Sequence, residues 1–102
     1  MKKERVYISG AITSDPNYKE HFAKAARELE AKGFATVNPA QMEVVFPDAE
    51  YEDYMLIDLQ ILSKCDSIYM LNNWRKSCGA NREFGYALGR GIKIMYEQEE
   101  TE

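Results

Sequence analysis

The chain has 102 residues, 45% of them hydrophobic and 29% charged, which fits one globular domain and leaves little room for a second. Its net charge is −4, from 13 basic and 17 acidic residues, and that balance argues against a nucleic-acid polymer as partner, because non-specific binders of such polymers need a basic surface. Cys65, Cys78 and the single histidine, His21, show no metal-ligand spacing, so neither a metal nor another cofactor is expected.

Met1-Lys2-Lys3-Glu4-Arg5 is basic but is followed by no long apolar run, so no signal peptide is expected. No segment approaches the ~20 apolar residues of a membrane span. Free thiols suit a reducing cytosol, and the expected location is cytoplasmic, with no membrane partner.

Val6-Tyr7-Ile8 reads as a short buried strand that ends in the turn Ser9-Gly10. From about Asn17 to Lys32 the pattern is helical, with Phe22, Ala25, Ala26 and Leu29 on one stripe. Asp15-Pro16 forms the entry to that helix and Gly33 its stop. His21 falls off the stripe and is expected at the surface. Phe34-Ala35-Thr36-Val37 is a second strand, closed by Asn38-Pro39, and residues 40–50 read as a loop with room for a helical turn.

A second helix runs from about Tyr51 to Lys64, and Ser67 to Leu71 forms a third, strongly apolar strand. Asn72-Asn73-Trp74-Arg75-Lys76 is a polar loop with one Trp expected to be exposed. Cys78 to Arg90 is a third helix stopped by Gly91, and Ile92 to Tyr96 is a fourth strand. Residues 97–102 form an acidic tail, expected to be frayed and solvated, behind a single domain at 1–96.

Strands alternating with helices imply right-handed crossovers and a mainly parallel sheet. The expected fold is a three-layer α/β domain, flavodoxin-like or Rossmann-like, with four strands in the order 2-1-3-4. In that arrangement ligands bind beyond the carboxyl ends of strands 1 and 3. The loops there are Gly10–Asn17 and Asn72–Ser77.

Two carboxylates stand out. On a helical wheel centred on Asp58, the residues Tyr51, Tyr54, Met55, Ile61, Leu62 and Cys65 lie within ~60°. A carboxylate in an apolar stripe must be paired, protonated or set in a cavity. It is either a satisfied buried aspartate or an acid of a site. Glu83 lies near the start of the third helix, beside the small residues Gly79, Ala80 and Ala87. It is either an ordinary acid near a helix start or an accessible carboxylate whose ionised form the helix end favours. Environments that push two carboxyls apart supply an acid and a nucleophile. The turns Ser9-Gly10 and Ser77-Cys78-Gly79-Ala80 offer backbone N–H groups to a phosphate or a ribose hydroxyl, although Ser77 alone reads equally as a helix N-cap.

Val6-Tyr7-Ile8-Ser9-Gly10-Ala11-Ile12, then Asp58 eight positions before Asp66, then Ser77-x-Gly79-Ala80-x-x-Glu83-x-Gly85-x-Ala87 and Gly91-x-x-Ile94 resemble the nucleoside 2-deoxyribosyltransferase-like superfamily, in particular a short DUF4406-like branch. The resemblance implies a parallel α/β domain that cleaves N-glycosidic bonds of a nucleoside or nucleotide, as hydrolase or deoxyribosyltransferase. It implies Glu83 as nucleophile, Asp58 as the group that assists the departing base, and Tyr7 as an aromatic that positions the nucleophile. Gly10, Ser77 and Gly79 match positions that hold the sugar or a 5′-phosphate. Thr13 stands where the glycosidase branch carries an Arg, and Ser77 where the transferases carry an Asp. The alternative is a non-catalytic nucleotide-binding or sensing module.

Asp58 and Glu83 are therefore expected to face one cavity bounded by Tyr7, Gly10, Ser77 and Trp74, with Ser9 also touching substrate. Trp74 either stacks on a base or fills a loop or an interface. The aromatic load and small size suggest a homo-oligomer, with Tyr51, Tyr54 or the 40–50 loop at the interface.

Overall fold

In the computed structural model of the chain, residues 2–41 and 48–98 are described. Strand β1 (Arg5–Ser9) leads into helix α1 (Tyr18–Ala31), followed by β2 (Ala35–Val37) and a 3₁₀ turn at Pro39–Gln41. Helix α2 (Tyr51–Leu62), strand β3 (Ser67–Met70), a second 3₁₀ turn at Trp74–Lys76, helix α3 (Cys78–Arg90) and strand β4 (Lys93–Tyr96) complete it. Most of the 40–50 loop, residues 42–47, lies outside the described residues.

The four strands form one parallel sheet in the order β2-β1-β3-β4, as the alternation of elements predicts. Tyr7 sits opposite Val37 on one side and Ile68 on the other. The period-two alternation of β1 divides its side chains between the two faces of the sheet. Val6 and Ile8 pack with Phe22, Ala25 and Leu29 of α1. Tyr7 packs with Leu62 of α2 and Ala80 and Ala87 of α3. One helix thus covers one face and two cover the other.

Local signals explain the helix limits. α2 opens with a capping box in which the Glu50 N–H donates to Asp53 Oδ2 at 2.7 Å while the Glu50 side chain accepts from the Asp53 N–H. It ends at Leu62, two residues before the expected limit. α3 is capped by Ser77, whose Oγ accepts from the Ala80 N–H at 3.1 Å, and stops at Gly91 in the left-handed region, φ 74°.

Two expectations are corrected. Glu97 is not a frayed residue. Its N–H donates to Met70 O at 2.8 Å, which extends the β3–β4 ladder past Tyr96. Its Oε1 accepts from the Asn72 N–H at 2.8 Å and lies 3.1 Å from His21 Nε2. His21 is accordingly held between Glu97 and Asp15 rather than free at the surface. Residues 99–102 of the tail lie outside the described residues. Among the described residues, no helix is long and apolar enough to cross a membrane.

Candidate active site

The second face of β1 carries polar groups as well as apolar ones. Tyr7 and Ser9, both buried, point toward the middle of α3, where Glu83 lies on the buried side between Ala80 and Ala87. The Tyr7 hydroxyl donates to Glu83 Oε2 at 2.6 Å, and the Ser9 hydroxyl donates to Oε1 at 2.7 Å. Each carboxylate oxygen therefore has its own donor from the same strand. Such charge-assisted bonds fix the plane of the carboxylate as well as stabilising its charge.

Glu83 is only 6% exposed. Burial pushes its carboxyl up to about 7, against the downward pull of the Ser9 and Tyr7 hydrogen bonds and with a further push from Asp58. The sequence pointed the other way, to a carboxyl held ionised by the helix end. The reason for the reversal is position: Glu83 is the sixth residue of α3, and the field of a helix terminus fades within its first turn. The Tyr7 hydroxyl is pushed well above its ordinary value by burial first and then by the charges of Glu83 and Asp58. It remains a donor.

Above Glu83 lies a cleft of about 890 Å³, lined by residues from the loop after β1, the start of α1, the Pro39–Gln41 turn, the Tyr51–Asp58 part of α2 and the start of α3. The volume falls within the usual range for small-molecule sites. Asp58 and Glu83 both line it, together with Gly10, Ser77 and Gly79. Burial raises the Asp58 carboxyl to about 6. The apolar stripe predicted for α2 is thus split. Met55 and Leu62 are buried, whereas Tyr51 and Tyr54 are 50% and 38% exposed and line the cleft. Asp58 is tolerated on that stripe because its part of the helix faces the cleft.

Gly10 and Gly79 shape this opening. A Cβ at Gly10 would meet Leu71 Cδ1 at 2.7 Å, so only glycine lets β1 leave the sheet this close to β3. A Cβ at Gly79 would press on Tyr51 Oη at 3.3 Å and Met55 Sδ at 3.4 Å. Sequence reasoning missed what holds Tyr51 there. Arg82 makes a two-pronged ion pair with Glu52 (2.6 and 3.2 Å) and sits 5.7 Å from the Tyr51 ring centroid. It ties the first turn of α2 to α3. The lysines of the cleft, Lys19 and Lys76, were missed as well.

Three site expectations change. Trp74 does not bound the cleft. It is 8% exposed, stacked on Phe84 with ring centroids 4.6 Å apart and flanked by Arg75 at 4.8 Å. The 3₁₀ turn folds its ring under the polar loop and into the core. Ser9 is 1% exposed and bonds to Glu83 instead of lying open to a ligand. Tyr7 lies beneath Glu83, supporting it from behind, and is not part of the cleft wall. Among the described residues, no group of three His, Cys, Asp or Glu could hold a metal ion.

Among curated proteins none matches this chain. Solved structures of similar fold include a conserved protein from Enterococcus faecalis V583, with a TM-score of 0.70 and 19% identity over 92% of this chain. The chain spans 62% of that protein's length. A 2-deoxyribosyltransferase from Bacillus psychrosaccharolyticus has a TM-score of 0.68 and 20% identity, over 96% of this chain and 77% of that one. A CMP N-glycosidase from Clostridium botulinum has a TM-score of 0.64 and 24% identity, over 91% of this chain and 67% of that one. At such identities the likeness is one of fold, the nucleoside deoxyribosyltransferase-like α/β fold. It agrees with the sequence match, for residues 4–96 fit the family model described as Domain of unknown function (DUF4406), and the chain belongs to that family.

Proposed function

We propose that this chain cleaves the N-glycosidic bond of a nucleoside or nucleotide, as hydrolase or deoxyribosyltransferase, with Glu83 as nucleophile and Asp58 as general acid. The observation that carries the reading is the carboxylate of Glu83, buried at the floor of the cleft with each oxygen held by a hydroxyl from β1. Any buried glutamate needs partners, but this one also borders a cleft of a size suited to a small molecule. Two proteins of the same fold are by name a 2-deoxyribosyltransferase and a CMP N-glycosidase, which supports the same chemistry.

In this mechanism one Glu83 oxygen attacks the anomeric carbon of the sugar. The C1′–N bond breaks, its electron pair leaves with the base, and the base takes a proton from Asp58. The glycosyl ester is then opened by water, or by a second base, whose proton returns to Asp58. Between pH about 6 and about 7, the values of the two carboxyls, the pair carries close to one proton. The Glu83 carboxyl holds its proton to the higher pH, so the productive form, with that proton on Asp58, is the minor of the two arrangements. Tyr51 and Tyr54 supply aromatic walls for the base. Gly10, Ser77 and Gly79 supply the sugar or 5′-phosphate contacts.

The test is incubation with a panel of 2′-deoxynucleosides, ribonucleosides and their 5′-monophosphates, with free base read by chromatography. Base release by the wild type and its loss in Glu83→Gln support the enzyme. Tight calorimetric binding of a panel member without base release would replace it by a nucleotide-binding module. We propose in addition that the chain works in the cytoplasm, in keeping with its free thiols, and as a homo-oligomer. Leu56 and Leu88, 67% and 57% exposed, are apolar surface that a second copy would cover; light scattering that finds a monomer at high micromolar concentration refutes the assembly.

A further inference from the structure

The cleft wall formed by Ile12, Thr13 and Ser14 has no regular secondary structure of its own. The backbone pairing of β1 with β3 ends at the bond from the Leu71 N–H to Ser9 O. Beyond it the side chain of Asn73 takes over. Its Oδ1 accepts from the Ala11 N–H at 3.1 Å, and its Nδ2 donates to Asp15 Oδ2 at 3.2 Å. One amide therefore grips the wall at the residue just before it and at the residue just after it.

The two ends demand opposite chemistry. Ala11 is 1% exposed, so its N–H requires an acceptor, and losing it would leave a buried donor unpaired. Asp15 presents a carboxylate, which requires a donor. An amide serves both from one side chain, its oxygen toward the N–H and its NH₂ toward the carboxylate. Asp15 is itself held at Oδ1 by the Asn17 N–H at 2.9 Å and is flanked by His21 at 3.4 Å. His21 is in turn backed by Glu97, which also accepts from the Asn72 N–H. The clamp thus rests on the start of α1, on the end of β4 and on the loop before α3.

We propose that Asn73 is the positioning residue of the cleft: by holding Ala11 and Asp15 together it sets the place of the Ile12–Ser14 wall and hence the affinity for substrate. The second half of this statement rests on the function proposed above; the first half does not. Asn73 touches no reacting atom, so its loss should act on KM and spare kcat.

The experiment compares the wild type, Asn73→Asp, and the exchange Asn73→Asp with Asp15→Asn. Asn73→Asp keeps an acceptor for Ala11 and sets a carboxylate against Asp15. The exchange restores a donor between positions 15 and 73 and an acceptor at each outer end. Amide hydrogen exchange followed by NMR needs no substrate. The Asp15 and Asn17 amides should exchange about tenfold faster or more in Asn73→Asp, the Ala11 amide should stay protected, and the exchanged pair should recover slow exchange. On any nucleoside the panel identifies, Asn73→Asp should raise KM about tenfold with kcat within about twofold, and the exchanged pair should bring KM back. Unchanged exchange at Asp15 and Asn17, or an exchanged pair no better than the single variant, overturns the clamp. A fall in kcat at constant KM overturns the positioning role. Loosening and recovery of the amides in a chain that releases no base from any nucleoside uphold the clamp and sink the enzyme.

Discussion

The two faces of β1 are equally buried and entirely different in chemistry. Val6 and Ile8 on one face and Tyr7 and Ser9 on the other are all 0–1% exposed. The first pair packs in an apolar cluster with Phe22, Ala25 and Leu29 of α1 and with Leu71. The second pair meets a carboxylate. Burial on the α1 face is favourable by the ordinary transfer of apolar surface from water. Burial on the α3 face desolvates a group that is then repaid only in part by two hydrogen bonds, as its raised carboxyl shows. Four consecutive residues therefore build the stability of the domain with one face and its candidate chemistry with the other.

The sharpest way to break this comparison is Glu83→Gln. As the nucleophile, Glu83 should be worth about 4 kcal/mol of transition-state stabilisation or more, so base release should fall at least ~10³-fold. Stability should move the other way. A carboxyl raised from 4.5 to about 7 in the folded chain stabilises most below pH 4.5, and that contribution is lost as pH rises to about 7. Above that the wild type carries the full burden of a buried charge, about 3 kcal/mol at ~1.4 kcal/mol per pH unit. Glu83→Gln should therefore be more stable than the wild type at pH 8 and show no gain at pH 4.5, in urea melts at each pH. Equal stability at pH 8 would mean that the α3 face is not a strained one.

The α1 face should give the opposite pattern. Ile8→Ala removes buried aliphatic carbon against Phe22 and Leu71 and should cost about 2–4 kcal/mol. The single Trp, buried at position 74, reports the unfolding by fluorescence. Where that variant fails to fold, Ile8→Val should cost about 0.5–1.5 kcal/mol. In either, kcat of the folded fraction should be retained. A selective loss of kcat would show that the two faces are not separable.

This division was only partly legible in the sequence. The strand and helix order could be read because each element carries its own period, and with it the sheet order 2-1-3-4. Asp58 was visible because a carboxylate breaks an apolar stripe whatever packs on it. Glu83 was visible chiefly through the Ser77-x-Gly79-Ala80-x-x-Glu83 block, since a glutamate near a helix start is otherwise ordinary. Its carboxyl was misjudged because the burial that raises it is set by tertiary packing, which no local pattern shows. Trp74 was misplaced because its neighbours are polar, and only the 3₁₀ turn turns the ring inward. The Asn73, Asp15, His21 and Glu97 cluster left no local signal at all. Its bonds join residues distant in the chain, and each residue alone reads as loop or surface.

The mildest change isolates the polar half of β1 without touching the carboxylate. Ser9→Ala deletes one hydroxyl that donates to Glu83 Oε1 and leaves Tyr7 on Oε2. The Ser9 bond pulls the Glu83 carboxyl down, so its removal must raise that carboxyl further above about 7. The ionised fraction at pH 6.5 falls, while at pH 9 Glu83 is ionised with or without Ser9. With Asp58, at about 6, setting the acid limb, the alkaline limb of the pH profile of kcat/KM should move upward by about one pH unit, the ~1.5 kcal/mol expected for a hydrogen bond to a charged group. Base release relative to the wild type should drop several-fold at pH 6.5 and match it at pH 9, where both turn over slowly because Asp58, at about 6, has lost its proton. If Ser9 instead touched the substrate, the deficit would persist at every pH and appear in KM. An alkaline limb that stays in place would mean that Ser9 does not tune Glu83, and the contrast between the two faces of β1 would then rest on Tyr7 alone.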